Sequence, residues 1–556
     1  MNRLKNLLPV LFVLALSLFS VIPFFHPGFF PIHDNTQVQR VFEMTKSLKD
    51  GLFPVRWAAD LGFGFGYPIF NFYAPLAYYV GSIINLLGFD VLFSTKLMMA
   101  LGIVLSGLSM YMFAKELWGK FGGIFSAMLY VFIPYHAVDI YVRGDVAEFW
   151  AYAFIPLVFY ALLKIHRTGK IRFIIFGALS YATLIISHNL TAFMVTPFIL
   201  IFIGMLFLGN KKTGKKLLIT VVLGLLVSAF YWLPALLEIN YTNVLSQIGG
   251  GADYKDHFVC LNQLWASPWG FGGSTKGCVD GLSFMIGKMH LLLLPIALGL
   301  FGLGLYLKKL DKKKGYLLIY FLIGLLFSAF LTLDYSKFIW DAIRPMAVLQ
   351  YPWRFLLVAA FFISAICGSI IYFTEMFIKN KWIRLGFFII IILITVIFNS
   401  KYFAAQKYLQ VSVNSFTNDY FLKFETSQIS SEYMPKEFLK PKVYSNLSNK
   451  IIVVHGKVKV VSQSKRTGEY NINYIADSTS EIIVPIAYFP TWWVNLDGES
   501  YSYSVKNNGL LVSLPKGNHL LEFSFKQTNV EVLANLLSLS GIFAIILGII
   551  LKKKTL

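Results

Sequence analysis

Apolar runs of about 17–22 residues recur along the chain, separated by short polar gaps. Runs of that length cross a hydrocarbon core as helix. The pattern predicts twelve spanning helices, near 7–25, 97–113, 121–135, 149–163, 173–187, 190–209, 217–236, 290–307, 316–333, 355–373, 385–399 and 531–551. Between the first two, Asn35 or Thr36 can cap a helix on which Val38, Val41, Phe42 and Leu48 recur at helical spacing. That helix should lie along the membrane surface. A Gly-rich turn, LGFGFGYP (61–68), leads to a second apolar stretch, 69–88. If this stretch crossed, Lys115 and Lys120 would change sides, and every later basic loop would follow them. It is therefore read as a second juxtamembrane helix, whose Phe70, Phe72, Tyr73, Tyr78 and Tyr79 suit the lipid interface.

Residues 400–530 follow another rule. Short apolar runs alternate with polar residues and are punctuated by Asp497-Gly498, Asn508-Gly509 and Lys516-Gly517, which reads as β-strands near 451–460, 469–475, 481–488, 501–505, 509–514 and 519–525. The stretch 400–449 before them is polar and aromatic without a clear period. The expected fold is an all-α polytopic membrane protein of about twelve transmembrane helices, with an extracytoplasmic all-β domain near the C-terminus. Residues 1–399 form the helical module, with 26–96 as a first outer loop and 237–289 as an outer lid loop. Residues 400–530 form a β-sandwich-like domain, and 531–556 the last helix and a basic tail.

Composition agrees: 57% of residues are hydrophobic and 14% charged, with a mean hydropathy of +0.64, which excludes a soluble globular enzyme. The formal charge of +21 raises the question of nucleic acid. The placement of Lys and Arg answers it. With Arg3 and Lys5 inside, segments 1–6, 114–120, 164–172, 210–216, 308–315, 374–384 and 552–556 hold 23 Lys and Arg against Glu116, Asp311 and Glu375. The basic excess is thus that of short cytoplasmic loops. This predicts a multi-pass protein of the cytoplasmic membrane with both termini inside and no nucleic-acid partner. The first helix lacks a small-x-small cleavage site before His26 and is expected to be retained. Cys367 falls within a helix, whereas Cys260 and Cys278 share one large outer loop, where a disulfide is permitted.

Four outer elements carry candidate chemistry. Asp34, in HDNTQ (33–37), stands directly after the first helix; its plain reading is a capping or loop carboxylate. Arg143, Asp145 and Glu148 sit in PYHAVDIYVRGDVAEFW (134–150) at the mouth of a spanning helix, where an ion pair without further role competes with function. Ser187-His188-Asn189 forms a hairpin tip. Arg354, in QYPWRF (350–355), stands where a helix re-enters the membrane and could be an interfacial anchor. Together they meet two requirements. A lipid-linked phosphate needs guanidinium groups at headgroup depth, and an acceptor hydroxyl needs a carboxylate base.

An acid after the first helix, a first outer loop with two juxtamembrane helices and a second acid in the next outer loop resemble the C-type (GT-C) fold of membrane glycosyltransferases. These are the polyprenyl-phosphate-sugar-dependent enzymes that include protein O-mannosyltransferases and the lipid A aminoarabinose transferase. More closely, GYPIFNFYAPLAYY (66–79), YVRGDVAEFW (141–150), SHNLTA (187–192) and QYPWRF (350–355) resemble the YfhO-like and pyruvoyl-tetrahydropterin-synthase-related membrane proteins. The tail from Ala487 to Phe525 is similar to the outer domain that ends YfhO-like chains. The resemblance implies that Asp34 takes the position of the catalytic acid and that Asp145, with Glu148, matches the second-loop acid. It implies Arg354, with Arg143, as a phosphate ligand beside His188 and Asn189, for which no role carries over. No Asp-x-Asp pair stands in the second loop, and Trp492-Trp493 is followed by Val494 where an acceptor motif would have an acid. A divalent metal is therefore possible but not required by the motifs, and no cofactor is assigned.

The implied activity is inverting transfer of a sugar from an undecaprenyl- or dolichyl-phosphate carrier to an extracytoplasmic glycan, lipid or protein. Loop 237–289, stapled by Cys260–Cys278 and mobile at GGG (249–251) and GFGG (270–273), would close over the donor. By family analogy the β-domain serves acceptor recognition. The competing class is a transporter or flippase for lipid-linked glycans, or an envelope assembly protein. A transporter should show internal repeats and mid-membrane polar residues, whereas here the conspicuous charges gather at one face.

Overall fold

The computed structural model describes residues 2–247, 252–447 and 449–554. The expected GGG flank at 249–251 and the last two residues of the basic tail lie outside them. Among the described residues eight helices are long and apolar enough to cross a membrane. They become nine if Lys211–Val227 and Ala229–Leu237, bent by 69°, form one broken span. The expected spans 7–25 and 173–187 correspond to Asn2–Leu18 and Ile171–Ser187, each of 17 residues and not among the eight. The expected pair 97–113 and 121–135 falls on Val91–Val131, the second ending four residues earlier than expected, and this helix leaves helical backbone at Gly119 (φ 78°, ψ −178°). That backbone is cheap only for glycine. A Cβ at Gly107 would meet Val131, and one at Gly123 would meet the Lys115 backbone. The two legs therefore run back antiparallel along each other.

Helix starts follow from local chemistry. Asp90, Asp145, Asn210, Asp311 and Asn380 each accept a backbone N–H from the first turn of the helix they precede, a cap typically worth about 1 kcal/mol. At one end of the helices the basic loops converge. Lys164 and Arg167 reach Glu116 at 3.1 and 3.3 Å, and Lys216 donates to the Gly169 carbonyl at 2.8 Å. The candidate residues Asp34, Asp145, His188 and Arg354 stand at ends of helices that leave these loops behind.

Two expectations need correction here. The stretch 69–88 is not one helix: Ile69–Phe72 and Leu76–Leu86 are separated at Tyr73-Ala74-Pro75. Proline keeps the preceding backbone from continuing as helix, and eleven residues are too few to cross. The helix Gln37–Lys49 does not lie on a surface either. Its apolar Val38 and Val41 are buried, but so are Gln37, Gln39, Arg40, Glu43, Thr45 and Ser47 on its polar side. Leu76–Leu86 packs on it from one side, and Arg40 donates to Ser430 from the far C-terminal segment. The polar side faces protein rather than water.

The C-terminal domain has two antiparallel sheets. With β1 (Ile452–His455), β2 (Val458–Arg466), β3 (Glu469–Ala476), β4 (Ser480–Val484), β5 (Trp492–Leu496), β6 (Glu499–Ser500), β7 (Ser504–Lys506), β8 (Gly509–Leu514) and β9 (Gly517–Phe525), the orders are β1-β4-β8-β7 and β2-β3-β9-β5-β6. The expected strand 451–460 is two strands in different sheets, parted at Gly456, and the predicted set lacked β5 and β6. Period-2 burial on β3 and β8 places Ile472, Tyr474, Leu510 and Val512 between the sheets. The domain sits on the first loop. Trp57 packs edge-on to Trp492 with centroids 5.4 Å apart. Thr467 donates twice to the Asp50 carboxylate, at 2.8 and 2.6 Å, and Ala487 N–H donates to Phe65 O at 3.0 Å.

Candidate functional site

The site is assembled around a wide turn. Val138–Arg143 forms a π-helical turn, a form enriched at functional positions. It ends at Gly144, which adopts φ 66° and lies so close to Ile32 that a Cβ would stand 2.4 Å from its Cδ1. Glycine here lets the first loop dock: His33 N–H donates to Val142 O at 3.0 Å and Asp34 N–H to Arg143 O at 2.9 Å. Gln37 then bridges the carbonyls of Asp34 and Gly144. Two segments more than a hundred residues apart are thereby held in one backbone frame.

Arg143 lies at the centre of the charge cluster. Its Nη1 donates to Asp139 Oδ1 at 2.5 Å and Glu148 Oε2 at 2.9 Å, and its Nη2 to Asp145 Oδ2 at 2.7 Å. Trp353 covers its guanidinium at 4.7 Å. Arg354 comes in from the helix at 352–377 with Nε 3.2 Å from Glu148 and Nη1 donating to Leu349 O at 2.9 Å. Its Nη2 approaches Asp145 only to 3.7 Å, beyond hydrogen bonding. Tyr135 donates to Glu148 at 2.6 Å. His188 contacts Thr191 Oγ1 through Nδ1 at 2.7 Å, and burial lowers its pKa to about 4, so the ring is neutral at pH 7.

Asp34, Asp145, Arg143, Arg354, His188 and Asn189 all line one cavity of about 510 Å³. Glu148 does not line it. It is fully buried behind Asp145, where it holds both arginines, so its place is that of a positioning group rather than of a group touching a ligand. Asp139 was not among the sequence candidates, although its i,i+4 spacing from Arg143 on a helical turn was a legible signal. Arg40, Tyr73, His257, Glu432 and Tyr433 also line the cavity and were not anticipated.

The electrostatics divide the carboxylates. Burial, then the charge on Asp145, raises the pKa of Asp34, while Arg40, Arg143 and Arg354 oppose the rise. Burial works against ionisation of Asp145 too, but Arg143, with His188 and Arg354, holds it below the usual carboxylate range. Burial and Glu148 push Asp139 well upward. One carboxylate is thus kept as an anion beside arginine, and another, Asp34, is made more basic at the cavity wall.

Ligand atoms of Asp139, Asp145 and Glu148 lie within 4.8 Å of one another, close enough to share a divalent ion. The Arg143 guanidinium already contacts all three, so a metal at their centre would have to displace a cation that the chain itself supplies.

Loop 252–287 forms another wall. His257, Gly273, Ser274 and Leu282 reach the cavity, and His33 meets Phe271 O at 2.9 Å. Cys260 and Cys278 are bonded, with Cα atoms 5.5 Å apart. The GFGG flank is tied down rather than free: Gly272 N–H donates to Gly281 O at 2.8 Å, and Phe271 bridges Leu282. The staple spans 18 residues, for which the chain-entropy model gives about 3 kcal/mol. Reduction, or Cys260→Ser, should therefore speed limited proteolysis between 261 and 277 at least tenfold. An unchanged cleavage rate would mean that the flanking contacts alone hold the loop.

Residues 70–246 match the sequence model of a family described as a 6-pyruvoyl-tetrahydropterin synthase related domain, a membrane protein. YVRGDVAEFW and SHNLTA fall inside that span; QYPWRF lies beyond it. An uncharacterized protein of Lactococcus lactis subsp. cremoris (strain MG1363) is 26% identical over 238 residues, covering 40% of this chain and 38% of that protein. The match thus spans well under half of the relative's length. Among solved structures, the apo oligosaccharyltransferase of Archaeoglobus fulgidus is similar with a TM-score of 0.45 at 13% identity, over 78% of this chain and 61% of that one. The arabinofuranosyltransferase AftD from Mycobacteria gives 0.46 at 13% identity, over 74% and 28%. ArnT from Cupriavidus metallidurans, bound to undecaprenyl phosphate, gives 0.35 at 14% identity, over 66% and 78%.

Proposed function

We propose that this membrane protein is an inverting glycosyltransferase that moves a sugar from a polyprenyl-phosphate carrier to a hydroxyl acceptor on the side of the membrane opposite its basic loops. By the positive-inside rule that side is extracytoplasmic. The observation that carries the reading is the meeting, on one cavity, of a basic carboxylate, Asp34, with the arginine pair Arg143 and Arg354. Asp34 takes the proton of the acceptor hydroxyl as its oxygen attacks the anomeric carbon. The bond from that carbon to the phosphate oxygen breaks, and the electron pair leaves with the phosphate. Arg354 meets the developing charge, since its Nη2 keeps donor capacity that its protein contacts leave unused. Asp139, Asp145 and Glu148 hold Arg143 in place, and Glu148 also fixes Arg354. No step is routed through a metal.

Placement of the charges favours this reading over a transporter: the buried ionisable cluster lies at helix ends, in the turn 138–145 and at 352–355, rather than at mid-span. The test is binding of undecaprenyl phosphate to the full-length protein in detergent, followed by native mass spectrometry. Wild type should bind, and Arg354→Lys should weaken binding about tenfold, because a single ammonium cannot keep the contacts to Glu148 and the Leu349 carbonyl and also offer the donor that Arg354 keeps in Nη2. Equal binding by the lysine variant would return Arg354 to an anchoring role.

A further inference from the structure

Asp34 is the meeting point of two groups of residues. Arg143, Arg354 and Arg40 all act on its charge. On one side stand Asp145, Arg143, Arg354 and His188, described above. On the other stand Tyr73, Arg40, Glu432 and Tyr433, which line the same cavity and have no part in the proposed step. The strongest electrostatic neighbours of Glu432 beyond its own backbone are Arg40, Asp34 and Lys440, not the other two arginines.

This second group is built. Arg40 is buried and held at both ends of its fork, donating through Nη1 to the Tyr78 hydroxyl at 3.1 Å and through Nη2 to Ser430 Oγ at 2.9 Å. Its guanidinium carbon lies 4.0 Å from the centre of the Tyr73 ring. Tyr433 stacks on Phe72 with centroids 6.2 Å apart and meets Tyr73 edge-on at 6.3 Å. Among the described residues the Glu432 carboxylate receives a long contact from Ser430 Oγ, at 3.5 Å, and its own N–H. The segment is pinned from both sides. Asn243 N–H donates to Met434 O at 3.0 Å, and Phe63 N–H donates to Ser427 Oγ at 2.9 Å. Tyr78 in turn donates to Gln37, the residue that bridges the carbonyls of Asp34 and Gly144.

The geometry points to a sugar-ring subsite formed by Tyr73, Tyr433, Arg40 and Glu432, which seats a hexose or pentose bearing free hydroxyls beside Asp34. A phosphate would be repelled by Glu432, whereas hydroxyls are donors that a carboxylate accepts and a guanidinium complements. Aromatic rings offer faces for the C–H side of a sugar and lose little conformational freedom in doing so. A concave site with few fixed polar groups among aromatic ones is the form that small-ligand recognition takes. The placement of that ring relative to the phosphate rests on the transferase reading; the recognition of sugar hydroxyls does not.

The experiment uses the full-length protein in detergent. Saturation-transfer NMR against a panel of methyl hexopyranosides and methyl pentofuranosides should give transfer to at least one glycoside. Glu432→Gln should weaken it about tenfold, the loss expected for one charge-assisted hydrogen bond, and Tyr433→Ala should weaken it by a similar factor through loss of the ring face, while Tyr433→Phe keeps it. Undecaprenyl phosphate binding should change less than twofold in these variants, and Arg354→Ala should show the converse. Saturation of no glycoside by wild type, or glycoside binding unchanged in Glu432→Gln, overturns the subsite. If undecaprenyl phosphate fails to bind wild type while glycoside binding still depends on Glu432, the transferase reading falls and the sugar site stands. A glycoside signal displaced by a sugar-bearing undecaprenyl phosphate, but not by the bare lipid, assigns the ring to the donor. A signal that survives both assigns it to the acceptor.

Discussion

Asp34→Asn should abolish sugar transfer, with a rate lower by about 10²–10⁴-fold, the usual worth of a general base, while the protein is made and purified as wild type. The side chain is half-buried at the cavity wall, and among the described residues no side chain donates a hydrogen bond to its carboxylate; its docking contact is its backbone N–H to Arg143 O. Asparagine keeps that contact and the size of the side chain and removes the repulsion from Asp145. A companion result is expected from pH. Burial and Asp145 raise the Asp34 pKa, and the base works only when ionised. The acid limb of kcat/KM should therefore fall as pH drops through a value above the ordinary aspartate figure of about 3.9, and above that limb the rate should be flat with respect to this group. Transfer within a few-fold of wild type in the asparagine variant would leave Asp34 as a docking residue. An acid limb at or below the ordinary aspartate value would contradict the raised basicity.

The second large effect is on folding. Arg143→Gln should cost about 3–5 kcal/mol, because removing one partner of a buried ion cluster leaves the others uncompensated. Three carboxylates contact that guanidinium, and Arg143, Asp145 and Glu148 are all at most 6% exposed. Arg354 approaches only two of the three and cannot replace it. Thermal unfolding of the detergent-solubilised variant should show a clear loss of Tm and a broadened elution profile. Asp139→Asn is the contrasting variant. Burial and Glu148 already drive Asp139 toward its neutral form, so a neutral amide there should cost far less than loss of the arginine. Comparable melting of Arg143→Gln and wild type would mean that water, rather than Arg143, satisfies the acids.

Much of the site was visible in the sequence because its parts are carried by local signals. Asp34 after the first helix, Arg143 and Asp145 at a helix mouth, His188 at a hairpin tip and Arg354 at a re-entry point are each charged or polar groups next to an apolar run, where such groups are rare. Glu148 was visible for the same reason, but from the chain it could not be told that its side chain points behind the cavity wall. Arg40 was hidden in an amphipathic pattern, since a polar residue opposite Val38 and Val41 reads as solvated. Its partner Ser430 lies 390 residues away.

The sequence by itself determined that apolar helices long enough to cross a membrane build the chain, eight rather than twelve among the described residues, and that basic residues collect in the short gaps between them. Those features depend on the length of an apolar run and the charge of the next short gap, both local quantities. It also determined that a β-domain follows residue 400, through period-2 alternation and Gly-containing turns. Only the tertiary structure decided that Gln37–Lys49 is enclosed, that Gly119 folds a 41-residue helix back on itself, and that residues 429–433 complete a cavity begun at residue 33. Each of these is a long-range contact set by steric fit, such as Gly144 against Ile32, or by pairing of buried polar groups, such as Arg40 with Ser430. Such contacts depend on which surfaces meet in three dimensions, and that information is not carried by any single stretch of the chain.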